Sequence, residues 1–371
     1  MKRTLKKSDF VLSPYMKSHN LKATYQVINT LIPYCVLWFL AFKVVDISFL
    51  LLLPIIILIV LFSLRSFSLM HDCGHYSLFS SKKVNRFVGF LFGLVNAMPQ
   101  YWWSKDHSYH HKTNGDWEKY RGIGDFLSTD EYDQLTSSEQ KLYGILRHPL
   151  IIFPGGFFYL AFKPRLILIM GIFDFLTHVF SCLRKNPLMS ISKIIYTHNS
   201  RYWNTVAEFY DVLLNSICVI SGWFIGYHFF GSIFFVIYSI VLTLSSAIFI
   251  SIFFVQHNFE GAYAHKTEDW DYLLGAVEGS SFLEMPSILK WFTADISYHS
   301  IHHLSERIPN YNLKACHQEN SHLLSKLSTI AIADIPNCSK LILWDSISDQ
   351  LVSIASHQKK LQQYSNASSV N

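Results

Sequence analysis

Four long apolar blocks stand out from the polar stretches between them: Ile28 to Val45, Ile47 to Leu64, Val206 to Tyr227 and Ile233 to Val255. A bilayer core of about 30 Å needs roughly 20 helical residues, somewhat fewer where flanking groups snorkel, so each block is expected to span a membrane. The first pair is separated by little more than Lys43 and Asp46, the second by His228 to Ser232, and each pair reads as a helical hairpin. Two further stretches are interrupted. Phe87 to Trp103 contains Gly89, Gly93, Asn96 and Pro99, and Ile151 to Phe180 contains Pro154, Gly155, Gly156, Lys163, Pro164 and Arg165. Both are expected to lie in the membrane plane or re-enter it. The expected fold is an all-α integral membrane chain of four transmembrane helices in two hairpins, with a cytosolic helical cap. Its parts are a cytosolic segment 1–27, a membrane domain 28–320 and a cytosolic tail 321–371, the polar stretch after Gln350 being a frayed helix or disordered.

Composition agrees with this pattern. Hydrophobic residues make up 50%, aromatics 16% and charged residues only 15%, where a soluble chain carries about 25% charge. The formal charge of +5 is modest and suits basic side chains flanking spans on anionic lipid, so nucleic acid is not implied. Sidedness follows from Lys and Arg, which collect in short cytoplasmic loops. Lys2, Arg3, Lys6, Lys7, Lys17 and Lys22 precede the first block, eight more from Arg65 to Arg121 follow the second, and none lies between Arg201 and Lys266. Both termini and the long middle segment are therefore expected in the cytosol, in the inner membrane of a bacterium or the endoplasmic reticulum of a eukaryote. Cys35, Cys73, Cys182, Cys218, Cys316 and Cys338 form no CxxC pair and read as free thiols. The polar, basic start of the chain does not read as a cleaved signal.

The chemistry is concentrated in histidine. Of 18 histidines, eight lie in three clusters: HDCGH (His71, His75), HSYHH (His107, His110, His111) and HSIHH (His299, His302, His303). Residues three and four apart share a helix face, so each cluster projects its imidazoles together. The first cluster starts seven residues beyond the second block, and a ninth histidine, His257, follows the fourth block directly. By the sidedness argument all nine emerge on one face. If Phe87 to Trp103 crossed the membrane, the clusters on its two sides would face opposite compartments. Nine imidazoles exceed what one first-row ion accepts and suit two ions of four or five nitrogens each. Imidazole alone serves zinc, copper, iron and nickel, but a water-activating zinc needs only three protein ligands, and a redox pair of iron ions with access for dioxygen is favoured. His265 ranks below His257 as a ligand because it lies in a polar stretch further from the block. Asp72, Asp106, Asp116, Glu260, Asp295, Asn114 and Asn258 are candidates to orient the rings through their outward nitrogens. A membrane metal-binding or transport protein is a remote alternative, since the four blocks carry almost no ionisable residues beyond Glu208 and Asp211.

These residues resemble the membrane fatty acid desaturases, specifically the acyl-lipid delta-12 (omega-6) and omega-3 type. The resemblance runs from the first block to Cys316 and rests on HDCGH, HSYHH and HSIHH, together with VQHNFEGAYAH, EDWDYLLGAVEGSS and HHLSERIPNY. Three residues between the histidines of the first box set it apart from the acyl-CoA delta-9 branch, and His299 departs from front-end desaturases, which typically begin the third box with Gln. The haem-binding HPGG motif is missing: Phe153, Pro154, Gly155 and Gly156 come close but lack the histidine. Tyr76 stands where plant-type members often have another histidine. The resemblance implies a fatty acyl lipid substrate, two iron ions, dioxygen as co-substrate and a separate electron donor, a ferredoxin or cytochrome b5. It implies a cis double bond as the product and an apolar tunnel for the acyl chain. A hydroxylase or ketolase acting on acyl chains, alkanes or carotenoids, built on the same boxes, is the alternative, and its products would separate it.

Overall fold

The computed structural model describes residues 5–122 and 124–368; Lys2, Arg3 and residues 369–371, on which part of the terminal expectations rests, lie outside them. The first two apolar blocks form α1 (Asn20–Val44) and α2 (Phe49–Gly74), packed along each other. Each contains a proline, Pro33 and Pro54, which neighbouring helices and local adjustment make tolerable in a membrane helix. Then come α3 (Lys82–Val95) and α4 (Gln100–Thr113). At 1.5 Å per residue each is about 21 Å long, too short for a core of about 30 Å. Asn85, Val88, Gly89, Phe92 and Gly93 form the buried side of α3 while Phe87 is exposed.

The middle of the chain holds α5 (Thr129–Asp133), α6 (Ser137–Leu146), α7 (Ile152–Phe157), α8 (Lys163–Lys185) and α9 (Ile191–Thr197), with a π-helical turn at Phe158–Phe162 joining α7 to α8. The third and fourth blocks form α10 (Val206–Phe230) and α11 (Ser232–Val255). Gly231, at φ 63°, makes the whole turn between them, a conformation glycine adopts without a Cβ penalty. Then follow α12 (Tyr272–Val277), α13 (Ser287–Phe292), α14 (His299–Leu304), α15 (Asn310–Glu319), α16 (Ile335–Cys338) and α17 (Ile354–Ser368).

Three differences from the sequence reading emerge. Five helical segments rather than four are long and apolar enough to cross a membrane, the fifth being Pro149–Lys185. The chain is mostly, not wholly, helical: β1 (Leu127–Ser128) pairs in parallel with β4 (Leu341–Asp345), β4 pairs antiparallel with β5 (Gln350–Ser353), and β2 (Phe282–Glu284) pairs in parallel with β3 (Thr329–Ala331). The polar tail is ordered through β5 and α17, because β4 and β5 give each other backbone partners and Trp344 stacks on Trp117 with centroids 4.9 Å apart.

Burial is polarised along the spans. The first half of α2 exposes Phe49, Leu50, Leu51, Leu53, Ile57 and Leu58, while every residue from Ser63 to Gly74 is buried. Ile32, Val36 and Phe39 of α1 and Ile217, Phe224 and Ile225 of α10 extend the exposed apolar surface, far more than a soluble monomer displays. The packed core lies beside the end of α2 that carries His71.

Candidate metal centre

Four elements bring the nine histidines together. His71 lies in the last turn of α2 and His75 is its C-cap. There the chain turns through Tyr76 at φ 57°, with Tyr76 N–H donating to Cys73 O (3.1 Å) and Ser77 N–H to Asp72 O (3.1 Å), which is a Schellman ending. His107, His110 and His111 occupy the last two turns of α4. Pro99 precedes α4 and cannot cap it; instead Asp211 Oδ2 of α10 accepts the N–H groups of Tyr101 (2.8 Å) and Trp102 (3.1 Å). His257 follows α11, and α14 carries His299, His302 and His303. All nine side chains are buried.

The nitrogens fall into two groups, His71, His75, His107, His111 and His302 in one and His110, His257, His299 and His303 in the other, with the atoms of each group within 4.8 Å of one another. Each HxxHH box serves both groups. Within the first group, Nε2 of His111 lies 3.0 Å from Nε2 of His107 and 3.1 Å from Nε2 of His302. Within the second, Nε2 of His257 lies 3.1 Å from His110, 2.9 Å from His299, and Nε2 of His299 lies 3.2 Å from His303. His257 donates Nδ1–H to Gly279 O at 2.9 Å, so its Nε2 is a lone pair, yet it faces two other imidazoles. Burial, reinforced by the neighbouring imidazoles, holds His107, His110, His111, His299, His302 and His303 well below the usual imidazole range. Burial also pushes His257 down to about 4, against the pull of its bond to Gly279. Neutral rings with converging lone pairs are the protonation state a metal requires. With metal–nitrogen bonds of about 2.1 Å, neighbouring ligands at right angles stand about 3.0 Å apart, matching the observed separations. The residues fit a pair of nitrogen-ligated ions.

The orienting groups are only partly those expected. Asp72 is buried, and its Oδ1 lies 3.4 Å from His71 Nδ1. Asp106 is exposed and touches neither group. Asp116 is engaged by Lys119 and Thr267, Asn258 donates to Leu341 O, and Asn114 donates to Gly275 O. Asp295 faces Arg65, Lys290 and Lys314 rather than a histidine, and Glu260 is exposed. His265 belongs to neither group; it pairs with Asp349 at 3.3 Å and packs on Tyr263. Two supports were missed. Glu306 Oε2 lies 3.1 Å from His75 Nδ1, and the contact with this imidazole holds the carboxyl below its usual range. The second is the Gly279 carbonyl, which no side-chain pattern announces. Glu306 stands three residues after the third box, but its partner lies in the first, so only the fold reveals the contact. On the side of α2 and α11, Trp103 stacks on His107 with centroids 4.7 Å apart, and Phe253 approaches His71 and His299 at 5.8 and 5.7 Å.

The family model for fatty acid desaturases matches residues 47–331, more than half of the chain and including all nine histidines. The chain belongs to the fatty acid desaturase family. It is accordingly an oxidoreductase acting on fatty acids. A fatty acid desaturase of Bacillus subtilis (strain 168) is 33% identical over 330 residues, covering 88% of this chain and 84% of its own length. A chloroplastic omega-6 fatty acid desaturase of Arabidopsis thaliana is 24% identical, covering 70% of this chain and 51% of its own length. An omega-3 fatty acid desaturase of the endoplasmic reticulum of Nicotiana tabacum is 22% identical, covering 70% and 62%. Within this desaturase, β4, β5 and α17 lie beyond the residues that the family model matches.

Proposed function

We propose that this desaturase is a membrane-embedded di-iron enzyme that uses dioxygen and two electrons to place a cis double bond in a membrane-lipid acyl chain, with delta-12 or omega-type regiochemistry. The observation that carries the proposal is the meeting of nine buried imidazoles as groups of five and four. His71, His75, His107, His111 and His302 would hold one ion, and His110, His257, His299 and His303 the other. Bound iron supplies the reaction with dioxygen that removes one hydrogen from each of two adjacent methylenes. One dioxygen, two electrons and two protons thereby yield a double bond and two waters. A separate ferredoxin or cytochrome b5 delivers the electrons. The omega-6 and omega-3 names of two relatives favour the regiochemistry.

The protein's own part is positional. Asp72, Glu306 and the Gly279 carbonyl orient His71, His75 and His257. Trp103, Phe67 and Phe253 wall the centre with apolar rings, Phe67 lying 5.2 Å from Trp103. A methylene pair offers no polar handle, so selection has to come from where an apolar channel holds it. A hydroxyl-bearing product is less compatible with a chain that shares 33% identity with a fatty acid desaturase.

We place α1 with α2 and α10 with α11 as two transmembrane hairpins, with both termini and the centre cytosolic and residues 28–320 as the catalytic domain. His111 and His257 are close to the same site, so the chain between them crosses the bilayer an even number of times, and α10 with α11 accounts for two. Pro149–Lys185 then enters and leaves by one face or lies in the plane, a reading that its π-helical turn and Pro164 support.

Fatty acids from a host expressing the chain, analysed by gas chromatography and mass spectrometry beside His110→Ala and His302→Ala variants, test this reading. New unsaturated chains in the wild type alone support it, and their double-bond position tests the regiochemistry. Hydroxylated chains would contradict it.

A further inference from the structure

The first-box histidines differ from the other seven. Each Nε2 of those seven lies within 3.2 Å of another Nε2, whereas Nε2 of His71 and of His75 is buried without a hydrogen-bond partner. What sets these two rings must act on their outward side. His75 sits at the C-cap, where the helix no longer fixes its direction, and Glu306 Oε2 stands 3.1 Å from its Nδ1. His71 has Asp72 Oδ1 at 3.4 Å from Nδ1. The other oxygen of Asp72 accepts two bonds from one residue, the backbone N–H and the side-chain amide of Asn310, both at 2.8 Å. Asn310 is in turn held by Gln26 of α1, whose amide donates to Asn310 Oδ1 at 2.7 Å.

We infer that the segment Ser305–Asn310, directly after the third histidine box, supports the first box: Glu306 is the positioning residue of His75, and Asn310, through Asp72, is that of His71. An acid beside Nδ1 favours the tautomer that carries its proton there and so leaves the Nε2 lone pair facing inward. Asn310 gives Asp72 two donors, one of them the first free N–H of α15, and so clamps the carboxylate that has to meet His71. The consequence is selective. Both supports act on members of the five-histidine group, while His257 of the four-histidine group takes its orientation from Gly279 O. The inference rests on the proposed reading of each group as the site of one ion.

The test is the iron content and visible absorption spectrum of purified full-length protein loaded with ferrous iron, for the wild type, E306A, E306Q and N310A. Removing a support of a metal ligand weakens binding about 10–100-fold. The wild type is expected to hold two irons per chain, and E306A and N310A about one, with an altered spectrum. E306Q, which keeps an acceptor oxygen toward His75, is expected to return toward two. The Glu306 side chain is 39% exposed, so E306A opens no buried cavity and its melting temperature is expected to stay near that of the wild type. Variants that keep both irons and an unchanged spectrum overturn the inference, as does loss of both irons, which would mean that the segment supports neither site selectively. A wild type that takes up no iron overturns the di-iron reading itself, and this inference with it.

Discussion

His257 and His265 lie eight residues apart in one polar connection, and the fold gives them opposite environments. His257 is buried and faces His110 and His299, while His265 is partly exposed and paired with Asp349. His257→Ala is therefore expected to lower desaturation at least 100-fold, and His265→Ala to leave it within about twofold, since a half-exposed ion pair contributes about 0–1 kcal/mol. Fatty acid profiles of hosts expressing equal amounts of each variant check this. The same burial sets a pH response. The unfolded imidazole has its ordinary pKa near 6.5, and the folded value for His257 is pushed down to about 4, so between these values the unfolded chain binds more protons. Metal-free protein is expected to keep the full contribution above about pH 6.5 and lose it as pH falls toward about 4, as followed by thermal unfolding in detergent. The meeting of the nine imidazoles was legible because the spacing within each box repeats one helix face. Glu306 was not, because its contact with His75 joins residues remote in sequence, and Asp106 was overvalued because adjacency to a box does not decide which way a side chain points.

Between elements, the same long-range logic holds α4 in place. Its own N-cap position is Pro99, and Asp211 of α10 provides the acceptor that the first turn lacks. Asp211→Ala is expected to cost about 1–2 kcal/mol, the usual scale of a lost cap, seen as a lower melting temperature. Because α4 carries His107, His110 and His111, reduced iron retention should accompany it. The apolar blocks told where α1, α2, α10 and α11 lie to within a few residues at most boundaries, since twenty apolar residues leave few alternatives. The extension of α2 to Gly74, needed to deliver His71, was equally readable. The strands were not: β1 has two residues and β4 five, and such short runs acquire strand character only from partners that the fold supplies.

At the scale of the whole molecule, the proposed placement has two hairpins carrying a cap in which every metal-facing group comes from the same side of the bilayer. On that placement the Gly231 turn is an outward-facing point. In a background without the six natural cysteines, Ser232→Cys in intact cells is expected to react with a membrane-impermeant maleimide, and a cysteine at Ser348, beside β5, only after the membrane is opened. Reaction of both from outside would contradict the placement. The central claim, that this centre removes two hydrogens with dioxygen and adds no oxygen to the chain, is tested most directly with isotopically labelled dioxygen. Purified wild type, a reductant with an electron carrier, and acyl lipid are expected to form one double bond per dioxygen consumed, with the label in water and none in the lipid. Label recovered in the acyl chain, or double bonds formed equally well without dioxygen, would contradict the account.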